Sequence, residues 1–208
     1  MDVFKTVTHY IKNTDLYLAI LALLCSMYGM VLIYSATLNP SSSLDGSTRN
    51  LLIQGAAVVL GLGAFVIMSL IDLETMSGWW KIFVLVNIGL QMLLFTPLGV
   101  EVNGQRAWLN LSVTNLQPGE LGKLIFIFTL AAHISEIKEH ISEWRGLFVI
   151  ALHTLIMMGA VVVTSGDTGM AIQYFMIALI MLFAAGLSLK WLAIGAGLGV
   201  VSIPILWN

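Results

Sequence analysis

Glu120 and Lys123 stand three residues apart in a segment that is otherwise apolar. On a helix this spacing puts both side chains on one face, within reach of each other. Pro118 and Glu120 suit the first turn of such a helix, where proline fits and a carboxylate complements the helix dipole, while Lys123 would extend outward to the interface. The same pair suits a polar cavity for a charged or sugar-bearing substrate. The residues alone leave both interpretations open.

A mixed polar and aromatic segment precedes this pair, from Asn103 to Leu111. Its Arg106 and Trp108 are the side chains that bind phosphate oxygens and stack on sugar rings. Gln117 lies between this segment and the helix. The same composition also suits a plain interfacial loop, so binding is one of two interpretations.

Asp167 lies in the short link Thr164–Gly169, between two apolar stretches. Its neighbours are good turn residues, and an aspartate here can cap the next helix, so the sequence favours a structural role over a base or a cation ligand. The Asp-Thr-Gly tripeptide does not indicate an aspartic protease, which needs a second aspartate. The histidines lack the spacing of zinc ligands, and His153, inside an apolar stretch, predicts a hydrogen bond between helices.

The elements that position these residues are predicted to be membrane-spanning. Hydrophobic residues make up 59% of the 208 positions and charged residues only 10%. The mean hydropathy is +0.96. Because so few charges cannot cover a water-exposed surface, the chain is predicted to be an integral membrane protein. Its net charge of −2 and scattered basic residues exclude a nucleic-acid binder, and the single Cys25 excludes a disulfide scaffold.

The intervals between charges predict the spans, since a helix needs about 20 residues to cross the hydrocarbon core. Five charge-free intervals fit, and the apolar stretch after Lys190 makes another; the intervals are 15–45, 49–72, 81–101, 145–167 and 167–190. One more span begins near Pro118 and carries Glu120 and Lys123. We therefore predict an all-α bundle of about seven transmembrane helices that forms one domain over residues 1–208.

The basic residues and tryptophans predict the orientation. With the N-terminus inside, six of the nine Lys and Arg residues fall on the cytoplasmic side. The six tryptophans lie at predicted span ends, where an amphipathic ring is well placed. The segment 99–117 and Asp167 would then both face outward.

The motif run resembles the signature of the SEDS family, the shape, elongation, division and sporulation proteins of the RodA, FtsW and SpoVE type. The matching segments are Asn103-Gly104-Gln105-Arg106-Ala107-Trp108-Leu109-Asn110-Leu111, Gln117-Pro118-Gly119-Glu120-Leu121-Gly122-Lys123-Leu124, Gly29 to Thr37 with its Tyr-Ser-Ala-Thr ending, Gln54 and Asp167-Thr168-Gly169. The motifs depart from the family pattern in three places. Ala107 stands where the family has an arginine directly before the tryptophan, Gly119 replaces serine or alanine, and Ser165-Gly166 replaces a Gln-Pro pair.

The resemblance implies a peptidoglycan glycosyltransferase embedded in the bacterial plasma membrane. It would use the undecaprenyl-linked precursor lipid II at the outer face, with a class B penicillin-binding protein as partner. The substrate-binding candidates are Glu120, Lys123, Arg106, Trp108, Gln117 and Asp167. No cofactor is expected, although the sequence leaves a divalent cation open. The resemblance places the family's catalytic aspartate beyond Asn208, so the chain is expected to cover the first half of a family member and to be inactive alone.

Two other classes of function stay open from the sequence. A lipid or solute transporter, or flippase, would also have an outer polar cavity among apolar helices, but it would need a matching inward-facing site. A non-catalytic membrane partner of a penicillin-binding protein would use the helices alone.

Overall fold

A computed structural model describes residues 15–37, 44–102, 104–112, 115–191, 193–195 and 197. The chain divides into two compact units, Met1–Asp72 and Leu73–Asn208. The expectation of one transmembrane domain stays a prediction, and each unit is described by itself.

The first unit contains two long helices that pack against each other, α1 (Leu16–Thr37) and α2 (Leu44–Leu70). Asp15 caps α1, because its Oδ1 accepts a hydrogen bond from the backbone N–H of Leu18 at 3.1 Å. Both helices are apolar over most of their length.

Between residues 73 and 184, the second unit contains α5 and four other helices that contact it. They are α3 (Leu73–Ser77), α4 (Trp80–Met92), α5 (Pro118–Glu136), α6 (Trp144–Ser165) and α7 (Thr168–Ala184). A 3-10 turn, Leu93–Phe95, extends α4, and another, Lys138–His140, follows α5. Helix α5 contacts α4, α6 and α7, and its Phe126 and Leu130 are completely buried with Tyr174 of α7. The core of this unit therefore lies along α5.

The segment between α4 and α5 folds as a three-stranded antiparallel sheet, in the order β1 (Gly99–Val102), β2 (Gln105–Asn110), β3 (Asn115–Leu116). Val100 pairs with Trp108, and Leu109 pairs with both Gly99 and Leu116. The expectation of an all-α chain holds for the bundle but is wrong for this segment. Its strands are too short for a clear alternating pattern, and the sheet forms because β2 buries Ala107 and Leu109 against the helices.

Three of the described helices are long and apolar enough to cross a membrane, over Tyr17–Ala36, Asn50–Leu70 and Trp144–Ser165. Two shorter apolar helices cover Trp80–Phe95 and Thr168–Ala184. Together with α5, these helices lie in the first six stretches where the sequence predicts spans. Most of the seventh stretch lies outside the described residues, so the number of crossings stays a prediction.

Candidate functional site at the start of helix α5

The predicted pair of charges meets in the first turns of α5. Lys123 Nζ lies 2.8 Å from Glu120 Oε2, as the spacing of three residues predicts. Lys123 also donates a hydrogen bond to Gln173 Oε1 of α7 at 2.6 Å. The Lys123 side chain is 18% exposed and that of Glu120 is 55% exposed. Lys123 therefore lies against the neighbouring helix. It does not extend outward to the interface, as it would if the pair only completed the first turns of the helix.

The local sequence determines where α5 begins. Pro118 occupies the first helical turn, and Glu120 is the acidic residue of that turn, as predicted. Gln117 precedes the helix in an extended conformation, and its Nε2 donates to Asp167 Oδ2 at 3.4 Å. Gln117 and Asp167, which are 50 residues apart in sequence, are thus brought together.

Asp167 caps α7, as the turn chemistry predicts. Its Oδ1 accepts a hydrogen bond from the backbone N–H of Met170 at 2.8 Å. Helix α6 ends at Ser165, and the next residue, Gly166, has a φ of 69°, the left-handed conformation that glycine adopts without strain. The link from α6 to α7 therefore needs only Gly166 and Asp167. With one carboxylate oxygen capping the helix, Asp167 has a structural role whatever else it does.

Three side-chain contacts join the beginnings of α5 and α7. They are Gln117–Asp167, Lys123–Gln173 and Tyr174 with the carbonyl of Gly119. We call the polar set Gln117, Glu120, Lys123, Asp167 and Gln173 the lysine site. It presents one ammonium, which can bind phosphate oxygens, and two carboxylates and two amides, which can bind sugar hydroxyls.

The structure does not bring Arg106 to this set. Arg106 is exposed on β2, and its Nη2 donates to the carbonyl of Thr96 at 3.0 Å. The next residue, Ala107, is buried, because successive residues of a strand point to opposite faces. Trp108 is half-buried on the same strand. In the family pattern the arginine stands at the position of Ala107. Because Arg106 is one residue earlier, its side chain lies on the opposite face of the strand from that position.

Several polar residues near the lysine site escaped the sequence analysis. Gln173 is one, and Asn87, Gln91 and Tyr174 form a buried group beside Gly122. The signal that identifies them is the occurrence of amide side chains inside apolar helices, with Asn87 and Gln91 four residues apart on α4. These side chains carry no charge, so the charge pattern of the sequence does not reveal them.

A second polar group lies at the other end of α5, and we call it the histidine cluster: Trp80, Thr129, His133, Glu136 and His153. The Trp80 ring stacks on His133 with centroids 4.3 Å apart, and its Nε1 donates to Glu136 Oε2 at 2.8 Å. Trp80 is thus a packed partner of the bundle and not only an interfacial ring. Both histidines are 6% exposed.

Hydrogen bonds link the two histidines of this cluster to each other and to Thr129. Thr129 Oγ1 donates to the carbonyl of Phe126 at 3.1 Å and lies 3.4 Å from His153 Nε2. His153 Nδ1 lies 3.1 Å from His133 Nδ1. The predicted hydrogen bond of His153 between helices is confirmed. Among the described residues, no group of three or more His, Cys, Asp or Glu side chains is placed to hold a metal ion.

One histidine outside the spans interacts with an acidic neighbour. His140 Nδ1 lies 2.8 Å from Glu143 Oε1 in the turn between α5 and α6. The hydrogen bond to Glu143 raises the pKa of His140 above its ordinary value. Both side chains are exposed, so this pair belongs to the surface of the protein.

Comparison with curated proteins shows relatives over most of the chain. It is 30% identical over 180 residues to the stage V sporulation protein E of Bacillus subtilis (strain 168), which covers 84% of this chain and 48% of the relative. It is 32% identical over 194 residues to a probable peptidoglycan glycosyltransferase FtsW of Nitrosococcus halophilus (strain Nc4), which covers 92% of this chain and 50% of the relative. The chain spans about half the length of these relatives.

Two solved structures share the fold. A crystal structure of the Thermus thermophilus rod shape determining protein RodA matches 84% of this chain and 58% of its own, with 23% identity and a TM-score of 0.61. A structure described as "structural coordination of polymerization and crosslinking by a peptidoglycan synthase complex" matches 86% of this chain and 52% of its own, with 24% identity and a TM-score of 0.63. The model of the FtsW, RodA and SpoVE family, described as "cell cycle protein", matches residues 15–208, and the chain belongs to this family.

Proposed function

We propose that the lysine site binds the diphosphate-linked sugar head of lipid II, as part of a membrane-embedded peptidoglycan glycosyltransferase. One observation carries the proposal. Lys123, in a bundle of apolar helices, is largely withdrawn from solvent and is directed by Gln173 on a neighbouring helix. Ionisable groups inside membrane helices are costly, and they mark substrate sites by default.

The geometry suits an anionic ligand that competes with Glu120. The Glu120 carboxylate is more than half exposed, so it can turn to water and leave the Lys123 ammonium to phosphate oxygens. Gln173 would keep Lys123 in place during the exchange, because it holds Nζ from the other helix. When the glycosidic bond forms and the pyrophosphate leaves, a fixed ammonium stabilises the negative charge that develops there.

The relatives support this assignment and limit its extent. Several are named probable peptidoglycan glycosyltransferases, and this chain spans about half of their length. We therefore assign to the chain the recognition of the diphosphate and not the whole reaction. Polymerisation of glycan strands by the 208-residue chain alone is not expected.

The surroundings of the site complete the proposal. Seven spans with the N-terminus in the cytoplasm would put the lysine site at the outer face of the bacterial plasma membrane, and the histidine cluster at the inner face. A class B penicillin-binding protein is the proposed partner, and the similar peptidoglycan synthase complex supports this choice. We assign no cofactor and no nucleic-acid partner.

The histidine cluster favours this function over a transporter. A carrier needs a polar site that the substrate reaches from each side of the membrane. The histidines at the far end of α5 are buried beside Trp80, on which His133 stacks, and are hydrogen-bonded to each other. They therefore offer a substrate little hydrogen-bonding capacity.

Binding of a lipid pyrophosphate tests the proposal. The chain in lipid nanodiscs is titrated with undecaprenyl pyrophosphate, and Lys123→Met is expected to weaken binding at least about tenfold, or about 1.4 kcal/mol. Lys190→Met, which removes an exposed lysine, is the matched control and should bind like wild type. Unchanged binding by Lys123→Met, or equal binding of uncharged undecaprenol by wild type, would contradict the proposal.

A further inference from the structure

Buried side chains from two neighbouring helices hold the turn of α5 between Glu120 and Lys123. Tyr174 Oη of α7 donates to the carbonyl of Gly119 at 3.2 Å. Asn87 Nδ2 of α4 donates to the carbonyl of Gly122 at 3.0 Å. A helical carbonyl already accepts a hydrogen bond from the N–H four residues later. Tyr174 and Asn87 therefore each donate to the second lone pair of a carbonyl oxygen. The backbone that carries the charged pair is thus bonded on two sides.

The two glycines of this turn allow this close approach. A Cβ atom at Gly122 would lie 2.5 Å from Tyr174 Oη, 2.6 Å from Asn87 Oδ1 and 2.9 Å from Gln91 Nε2. One at Gly119 would lie 2.7 Å from the sulfur of Met170. Real Cβ atoms essentially never approach so closely, so a larger residue at Gly122 would force these buried side chains or α5 itself to shift.

Stability alone does not explain the polar residues here. Asn87 and Gln91 are 1% and 2% exposed. Within the described part of the chain, Asn87 Oδ1 and both amide atoms of Gln91 have no hydrogen-bond partner. A buried polar atom without a partner costs about 1–3 kcal/mol, whereas leucine would pack here without that cost. Asn87 Nδ2 donates to the carbonyl of Gly122 and to the sulfur of Met157, and the Asn87 side chain also interacts with Tyr174.

The same contacts determine where Lys123 points. Tyr174 and Gln173 are adjacent on α7, so the rotation of α7 that directs the hydroxyl to Gly119 also directs the Gln173 amide to Lys123 Nζ. Gly122 and Lys123 are likewise adjacent on α5. We propose that Asn87 and Tyr174 are positioning residues that hold Lys123 against Gln173, an inference that rests on the proposed function for its consequence in lipid binding.

Solid-state NMR on the 208-residue chain in lipid bilayers tests this directly. With lysine labelled by nitrogen-15 and glutamine by carbon-13, the contact between Lys123 Nζ and the Gln173 side-chain carbonyl gives a cross-peak, assigned by its loss in Lys123→Met. Tyr174→Phe removes one hydroxyl, and Asn87→Leu removes the amide at similar size. Each variant is expected to reduce the intensity of the cross-peak at least about threefold. A threefold change in the population of the contact corresponds to about 0.65 kcal/mol. Tyr28→Phe, at an exposed tyrosine of α1, is the matched control and should leave it unchanged.

The outcomes separate positioning from simple stabilisation. If wild type lacks the cross-peak, or if both variants keep it at full strength whatever their melting temperatures, the residues do not position Lys123 and the inference is wrong. The two variants act on different carbonyls, so failure of one to fold leaves the other to decide. A wild-type chain that shows the contact but does not bind undecaprenyl pyrophosphate would overturn the proposed function and not the positioning.

Discussion

The two ends of helix α5 accommodate polar groups in different ways. At the Pro118 end, the lysine site has charged side chains, and the Glu120 carboxylate is more than half exposed. At the Glu136 end, the histidine cluster buries the rings of His133 and His153. Both nitrogens of His153 have a hydrogen-bond partner, which is Thr129 for one and His133 for the other. One end keeps hydrogen-bonding capacity available to solvent or a ligand, and the other consumes it internally.

This difference indicates what each end can do. The two imidazoles are hydrogen-bonded to each other and stacked on Trp80, so they join α5 to α6 and α4 and contribute to the stability of the fold. An ammonium whose carboxylate partner is exposed can exchange that partner for a phosphate. Removal of polar groups should therefore change stability at the histidine cluster and binding at the lysine site.

Gly122→Ala should have the largest effect on stability. The added methyl group meets three polar atoms of two helices, and overpacking of this kind costs about 1–3 kcal/mol, here expected near the upper value. The fall in melting temperature in detergent measures it. Gly89→Ala on α4 is the matched control, because nothing lies within 4 Å of the added atom. Equal stability of the two variants would show that the close approach at Gly122 is not real.

His153→Leu should have the second-largest effect, a loss of stability of about 2 kcal/mol. The change leaves His133 Nδ1 without its buried partner and removes the contact of His153 with Thr129 Oγ1, and a buried group left unpaired costs about 1–3 kcal/mol. Binding of undecaprenyl pyrophosphate should stay within about twofold of wild type below the melting temperature, a difference of less than about 0.5 kcal/mol. His140→Leu, at an exposed histidine, should change neither quantity. A large loss of binding in His153→Leu with an unchanged melting temperature would reverse the comparison between the two ends.

Gln91→Leu should have the opposite sign. It removes two buried polar atoms that have no partner in the described part of the chain, so we expect stabilisation by about 1 kcal/mol. A rise in melting temperature relative to wild type measures it. Asn87→Leu is the comparison variant. It also removes the hydrogen bond to the carbonyl of Gly122, so its gain in stability should be smaller. If Gln91→Leu is destabilised, the amide has bonds that the structure does not show.

The smallest effect concerns the exposed pair in the turn beyond the histidine cluster. Glu143→Gln should lower the pKa of His140 toward its ordinary value, because the hydrogen bond to Glu143 is the main cause of the rise. Glu139→Gln, the weaker of the two acidic neighbours, should lower it less. A raised pKa contributes stability that is present below the ordinary histidine value and is lost as the pH rises through the folded value. A proton NMR titration of His140 in the three chains measures this, and identical pKa values would show that the contact does not form in solution.

The sequence predicts the lysine site only where its contacts are local. The pairing of Glu120 with Lys123, the start of α5 at Pro118 and the capping by Asp167 all depend on residues within four positions. Gln173, Asn87 and Tyr174 act on residues 35 to 55 positions away, and no local pattern gives the packing that brings them together. Arg106 shows the same limit, since its direction depends on which face of β2 is buried.

Photo-crosslinking tests most directly the claim that the ligand binds at the Pro118 end of α5. A benzophenone analogue of undecaprenyl pyrophosphate, with the photoreactive group next to the diphosphate, is bound to the chain in nanodiscs, irradiated and located by mass spectrometry. We predict labelling within residues 117–124 and 167–174, with competition by unlabelled undecaprenyl pyrophosphate. Labelling confined to residues 129–141 or 150–157, around the histidine cluster, would contradict the account.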